Sequence, residues 1–175
     1  MNRCMFLLLI FMMGHLAFAH NSSAREEEYR TLAPILSSAE KFFISLKAGD
    51  YNTVWDLLTE YSHNKIISDV YEVAIKINGD INREYIIKDF NNRGMMFMNY
   101  WNSFQRSFDA DMILEHSEWE MGIISRDRAE IIITYNDAEG PTRLKMSKEQ
   151  DSWKVGLAET FWQRKALNLL HFVFQ

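Results

Sequence analysis

The sequence predicts an α+β fold in which N-terminal helices pack on a curved antiparallel sheet. Apolar residues recur at steps of three and four between Leu32 and Ile77, the period of a helix with one buried face. From Trp119 to Phe161 the period changes to two, as in strands whose side chains alternate between core and solvent. The chain has 175 residues and is 47% hydrophobic and 14% aromatic, so one domain has enough apolar material for a core. A domain of this length buries roughly 70% of its unfolded surface.

The first helix of the domain carries Leu32, Ile35, Leu36, Ala39, Phe42, Phe43 and Leu46 on one stripe. Ala48-Gly49-Asp50 ends it, with Gly49 suited to the left-handed C-cap position. A second short helix starts at Asn52 or Thr53 and turns Val54, Trp55, Leu57, Leu58 and Tyr61 inward, with Ser62-His63-Asn64 as its break. Ile66, Ile67, Val70, Tyr71, Ala74 and Ile77 form a third, closed by Asn78-Gly79-Asp80. Residues 81–92 read as helical through Tyr85, Ile86 and Phe90, with a break at 91–94. Residues 95–108 are dense in Met95, Met96, Phe97, Met98, Tyr100, Trp101, Phe104 and Phe108. They read as a helix buried on much of its surface, or as the flexible apolar wall of a ligand cavity. The helix count between 71 and 109 stays open.

Met112 and Leu114 read as an early strand out of phase with Trp119, which places a β-bulge near Ser117. Trp119, Met121 and Ile123 then alternate with Glu118, Glu120 and Gly122, and Ser125-Arg126-Asp127-Arg128 is a tight connection. Ala129, Ile131, Ile133 and Tyr135 mark the next strand, and residues 136–141 the next turn. Leu144 and Met146 mark a third, and residues 149–152 turn again. The last strand places Trp153, Val155, Leu157, Glu159 and Phe161 on one face. Such short connections make a meander.

The two ends have different characters. Residues 1–19 read as a signal peptide: Arg3 gives a positive start, 5–13 an apolar run, and Ala17-Phe18-Ala19 a small-x-small cleavage site. The alternative is an uncleaved N-terminal anchor, although the run falls short of the about 20 residues a span needs. Cleavage after Ala19 would remove Cys4, the only cysteine, leaving no disulfide or thiol chemistry in an exported chain. Of 19 Lys and Arg, the loss of Arg3 leaves 18 against 24 Asp and Glu, net −6. That balance, with no basic cluster, argues against nucleic acid as a partner. Residues 20–30 form a charged, flexible lead-in with Glu26-Glu27-Glu28. Asn21-Ser22-Ser23 is a glycosylation sequon, meaningful only in a eukaryotic secretory route. Residues 31–162 form the domain, and 163–175 an apolar tail that packs on it or makes a dimer contact.

The run Phe42-Phe43-Ile44-Ser45-Leu46-Lys47-Ala48-Gly49-Asp50-Tyr51-Asn52-Thr53-Val54-Trp55-Asp56-Leu57-Leu58 resembles the opening two helices of the nuclear-transport-factor-like superfamily. There a helix ends in a Gly-Asp pair and the next begins with an aromatic and a tryptophan. Ser152-Trp153-Lys154-Val155-Gly156 resembles its closing strand. The resemblance implies a cone-shaped α+β roll with a pocket between helices and sheet. The superfamily holds ketosteroid isomerase, dehydratases and cyclases, and also exported proteins without known activity and domains that only bind or dimerise. Fold alone does not choose among these. The residues expected to line the pocket are Trp55, Met98, Tyr100, Trp101, Trp119, Tyr135 and Glu159.

Two residues are candidates for catalysis. Glu159 is in phase with the apolar face of the last strand, where desolvation raises a carboxylate's pKa toward that of a useful acid or base. The plain alternative is that the strand end emerges into solvent or that Arg164 or Lys165 pairs with Glu159. His116 sits beside the expected bulge, with Asp109 and Asp111 just before it; the plain alternative is an exposed strand histidine. His63, His116 and His171 are scattered, so no metal and no cofactor is expected. No Gly-x-Ser-x-Gly elbow occurs. The leading expectation is an exported, periplasmic or secreted, non-catalytic domain that binds an apolar or amphipathic ligand or a protein partner in the cell envelope. An isomerase- or dehydratase-like enzyme, and a homodimerisation module of an envelope assembly, are the alternatives.

Overall fold

The computed structural model describes residues 3–77, 79–135 and 140–162, and it is α+β, with helices packed on a four-stranded antiparallel sheet. Among the described residues seven helices and four strands follow in chain order: α1 (Arg3–Ala48), α2 (Tyr51–Asp56), α3 (Glu60–Ile77), α4 (Arg83–Asn91), α5 (Met95–Ser107), α6 (Ala110–Glu115), β1 (Ser117–Ile124), β2 (Arg128–Tyr135), β3 (Thr142–Glu149), β4 (Ser152–Gly156) and α7 (Leu157–Phe161). Contacts divide the chain into two units, Met1–Pro34 and Ile35–Gln175. In the first, residues 20–30 are helical, Arg25 to Arg30 are exposed, and Arg30 Nη2 donates to Glu26 Oε1 at 3.2 Å. No helix among the described residues is long and apolar enough to cross a membrane.

The second unit holds the described core. Within α1, Ile35, Ala39, Phe42, Phe43 and Leu46 are buried, as their spacing predicts. Gly49 then takes φ +72° as expected, a conformation that costs a residue with a Cβ about 1 kcal/mol. It allows Asp50 N to donate to Ser45 O at 2.9 Å and Gly49 N to Leu46 O at 3.2 Å, the paired bonds of a Schellman ending. Asp50 immediately caps α2 by accepting from Thr53 N at 3.2 Å. The Gly-Asp pair therefore stops one helix and starts the next.

The break after α2 falls at 57–59, not at Ser62-His63-Asn64, which lie inside α3. Tertiary pairing decides this. Leu58 forms a parallel bridge to Val155, with Thr59 N donating to Val155 O at 3.1 Å and Val155 N to Leu57 O at 2.7 Å. Thr59 Oγ1 then accepts from Ser62 N at 3.1 Å and caps α3. Ser62 is buried and Tyr61 exposed, the reverse of the inward-facing tyrosine expected. Between 71 and 109 the chain completes α3 and forms α4 and α5, so the open count is settled. On α5 the buried side carries Phe97, Tyr100, Trp101, Ser103 and Phe104. Met98 falls one step off that stripe and is 40% exposed, and Met95 is also exposed.

Ala110–Glu115 is helix, not an early strand, because Asp109 caps it by accepting from Met112 N at 2.9 Å. No bulge occurs at Ser117; the register shift lies between Met121 and Ile124. The sheet order is β1-β2-β3-β4, a meander as expected. Ala129, Ile131 and Ile133 of β2, Leu144 and Met146 of β3 and Val155 of β4 are buried against the helices. The β3–β4 connection is the two residues Gln150 and Asp151, both at positive φ, the geometry a tight hairpin requires.

The last strand is shorter than the alternation predicts. It ends at Gly156, and Leu157 to Phe161 form α7. Thr160 explains the switch: its hydroxyl donates to Gly156 O at 2.6 Å and accepts from Lys145 N at 2.9 Å, closing the ladder with a side chain. The turn at 136–141 lies largely outside the described residues, and the tail 163–175 lies outside them entirely.

Candidate functional site: a cleft beside the N-terminus of helix α3

The start of α3 gathers groups from two distant parts of the chain, the end of β3 and the start of α7. Like any helix start, it has N–H groups without partners in the helix. Thr59 Oγ1 satisfies Ser62 N, and the Glu149 carboxylate at the end of β3 accepts from Glu60 N at 3.2 Å through both oxygens. The positive end of the helix dipole favours a carboxylate there.

Glu159 sits on the same knot. Thr59 Oγ1 donates to its Oε1 at 2.7 Å and Ser62 Oγ donates to its Oε2 at 2.7 Å. Ser62 Oγ also accepts from Ala158 N at 3.0 Å, so one hydroxyl joins the starts of α3 and α7. Hydroxyl donors to an ionised oxygen make stronger bonds than neutral pairs. Gly156 makes room for this: a Cβ there would lie 3.0 Å from Lys145 O and 3.1 Å from Glu159 Cδ. Glu159 therefore belongs to a helix start and not to the inward face of a strand. Its two oxygens fasten α7 to α3.

Beside the knot lies a cleft of about 580 Å³, lined among others by Tyr61, Ile123, Arg128, Ala129, Met146 and Glu159. That is within the usual range for small-molecule sites. Arg128, Glu130, Lys145 and Ser147 share the sheet face turned away from Ala129, Leu144 and Met146, by the pairings Arg128 with Ser147 and Glu130 with Lys145. The carboxylates here are committed: Glu149 to Glu60 N, Glu159 to two hydroxyls, and Glu130 to Arg143 at 3.5 Å. Arg128 makes no ion pair among the described residues.

A second cleft of about 550 Å³ shares Glu149 and includes Asp56, Leu58, Glu60, His63 and Lys154. The His63 ring stacks on Trp55, centroids 4.0 Å apart and 20° from parallel. Its Nε2 lies 2.7 Å from Trp55 O; a carbonyl only accepts, so Nε2 carries the proton and Nδ1 the lone pair. Burial holds the His63 pKa below its ordinary value, against the opposing pull of the Trp55 carbonyl and Glu149. A third cleft of about 390 Å³ holds Lys47, which pairs with Asp111 at 2.5 Å and Glu115 at 2.8 Å.

The side chains expected to line one pocket are dispersed. Trp55, Tyr100 and Trp101 are buried in an aromatic cluster with Phe90, Phe97 and Phe104. None of the three lines the clefts described. Burial pushes the Tyr100 phenol well above its ordinary pKa, so it stays protonated. Among the described residues Trp101 Nε1 has no hydrogen-bond partner; Tyr100 and Phe104 pack edge-on to its ring. Trp119 is half-buried, its Nε1 donating to Ile113 O at 3.1 Å and Ser117 Oγ at 2.9 Å. Tyr135 pairs with Ser117 at the far end of β2. His116 is the exposed C-cap of α6 and lines none of the clefts described. Of the expected set, only Glu159 lines the cleft. Tyr61, Arg128, Met146 and Glu149 were missed as cleft residues, since nothing in their sequence surroundings marks them; β pairing and the start of α3 bring them together. Among the described residues no group of three His, Cys, Asp or Glu side chains is placed to hold a metal.

No protein-family model matches the chain, and no curated protein or solved structure matches it.

Proposed function

We propose that this is a non-catalytic binding domain whose cleft beside α3 takes a small amphipathic ligand with an anionic head. The observation that carries the reading is the split of roles in that cleft. Its carboxylates are consumed by the fold, while Arg128 is left to meet an anion beside the exposed apolar side chains of Tyr61 and Ile123. Glu159 and His116 lie in separate places, which favours binding over the isomerase- or dehydratase-like alternative. Export, with the leader removed after Ala19, and membership of the nuclear-transport-factor-like superfamily belong to the same proposal. They rest on the Arg3 and Ala17-Phe18-Ala19 pattern and on the Gly49-Asp50 and Trp153 motifs.

Calorimetric titration with laurate and with dodecyltrimethylammonium tests it. Laurate binding is expected, weakened about tenfold or more by Arg128→Gln, roughly 1.4 kcal/mol, and similarly by Tyr61→Ala. Equal affinity for the two head groups, or indifference to Arg128→Gln, would sink the reading. N-terminal sequencing of the protein from its native host is expected to begin at His20; a start at Met1 would leave an anchor.

A further inference from the structure

The two edges of the sheet are treated differently. The outer edge of β4 is closed by this chain: Leu57 and Thr59 bond the backbone of Val155, and Ser38 Oγ donates to Trp153 O at 2.6 Å. Among the described residues β1 pairs only with β2, and none bonds its outer backbone groups. The shift between Met121 and Ile124 confines the regular part of that edge to Ser117 through Met121. Along it, Glu118 and Glu120 are exposed while Trp119 and Met121 are half-buried on the core side. The cross-strand neighbours of the two glutamates are Thr134 and Ile132, neither of which can neutralise them. Neither glutamate forms an ion pair among the described residues.

We infer that the β1 edge is a docking site for an extended segment of another protein with Lys or Arg at alternate positions and apolar residues between. An added antiparallel strand gains backbone hydrogen bonds along the edge, and its side chains read the strand opposite them. Basic residues facing Glu118 and Glu120 form opposite-charge cross-strand pairs, and apolar residues extend the face of Trp119 and Met121. A second copy of this chain is the wrong occupant. The antiparallel registers centred on Glu118, Trp119 or Glu120, which overlap most of Ser117 to Met121 and keep the core faces on one side, set glutamate against glutamate, which disfavours pairing. The net charge of −5 also draws a basic segment toward the protein.

Fluorescence anisotropy with an end-blocked fluorescein peptide, Thr-Lys-Val-Lys-Val-Lys-Thr, tests this on the full chain. Binding that weakens with added salt is expected, with a loss of about tenfold or more in the Glu118→Lys, Glu120→Lys double variant. That variant is expected to gain binding to the peptide with Glu in place of Lys, which shows that it is folded. N-methylation of one alternate set of peptide amides is expected to abolish binding, and of the other set to spare it, because only one set faces the edge. Equal tolerance of both methylated peptides overturns the inference, as does unchanged binding by the double variant. A concentration-dependent dimer that the double variant abolishes would make a second copy the occupant and overturn it too.

Discussion

Glu159 and His63 show how a titratable side chain can be held by the fold. Glu159 accepts from Thr59 and Ser62, hydroxyls belonging to residues about 1% or less exposed. Glu159→Ala leaves the Ser62 hydroxyl without its acceptor, while Thr59 Oγ1 keeps Ser62 Oγ at 2.9 Å, and a destabilisation of about 1–3 kcal/mol in urea unfolding is expected. Glu159→Gln keeps one carbonyl acceptor and is expected to cost less than the alanine. His63 titrates in the other direction from a paired histidine. Its folded pKa is lowered, so the unfolded chain binds the proton better, and the stabilisation is complete only above the unfolded value of about 6.5. Stability is therefore expected to fall as the pH drops below about 6.5 and to level off below the folded pKa. Glu149 pulls that pKa up, while Arg93 and Lys154 push it down with burial. His63→Phe keeps the stack on Trp55 and removes the titration. Urea midpoints between about pH 7.5 and about pH 5.5 should move less in that variant than in the parent.

At the scale of elements, two glycines set where helices stop and start. Gly49→Ala meets open space but must hold φ +72°, so a loss of about 1 kcal/mol is expected, with Gly49→Asn recovering part of it. Gly156 is the opposite case: its φ is ordinary, and the obstacle is steric, with Lys145 O at 3.0 Å and Glu159 Cδ at 3.1 Å from an added Cβ. Gly156→Ala is expected to displace Glu159 and cost about 1–3 kcal/mol, and Glu159→Ala in the same chain should cost less than it does alone. A double-mutant cycle by urea unfolding checks this; strict additivity would mean that the two residues do not share the knot.

For the whole molecule, every buried residue described lies at or beyond Ile35, within the second unit. Removing residues 1–19 is therefore expected to leave the urea midpoint unchanged. Removing residues 1–41 takes away Ile35 and Ala39, both fully buried, and is expected to lower it sharply. The clefts depend on long-range pairing: Glu149 reaches Glu60 across 89 positions, and Ser62 reaches Glu159 across 97.

The sequence by itself determined the α+β class, the Gly49-Asp50 junction, the helix of Met95–Ser107 and the strands from Trp119 to Val155. Each of these follows from local chemistry, a period of 3.6 or 2 or a left-handed glycine, whereas the start of α2 at Tyr51 under the Asp50 cap precedes the expected Asn52 or Thr53. Only the tertiary structure decided the break at 57–59, the helical turn from Leu157 to Phe161 and the company of Glu159. Leu58 pairs with Val155 and Thr160 bonds Lys145 N, satisfying backbone groups from residues remote in sequence. No periodicity in a local window records such a bond. The alternation through Leu157, Glu159 and Phe161 is real in the sequence, yet the chain turns helical there because a hydroxyl, not another strand, completes the ladder.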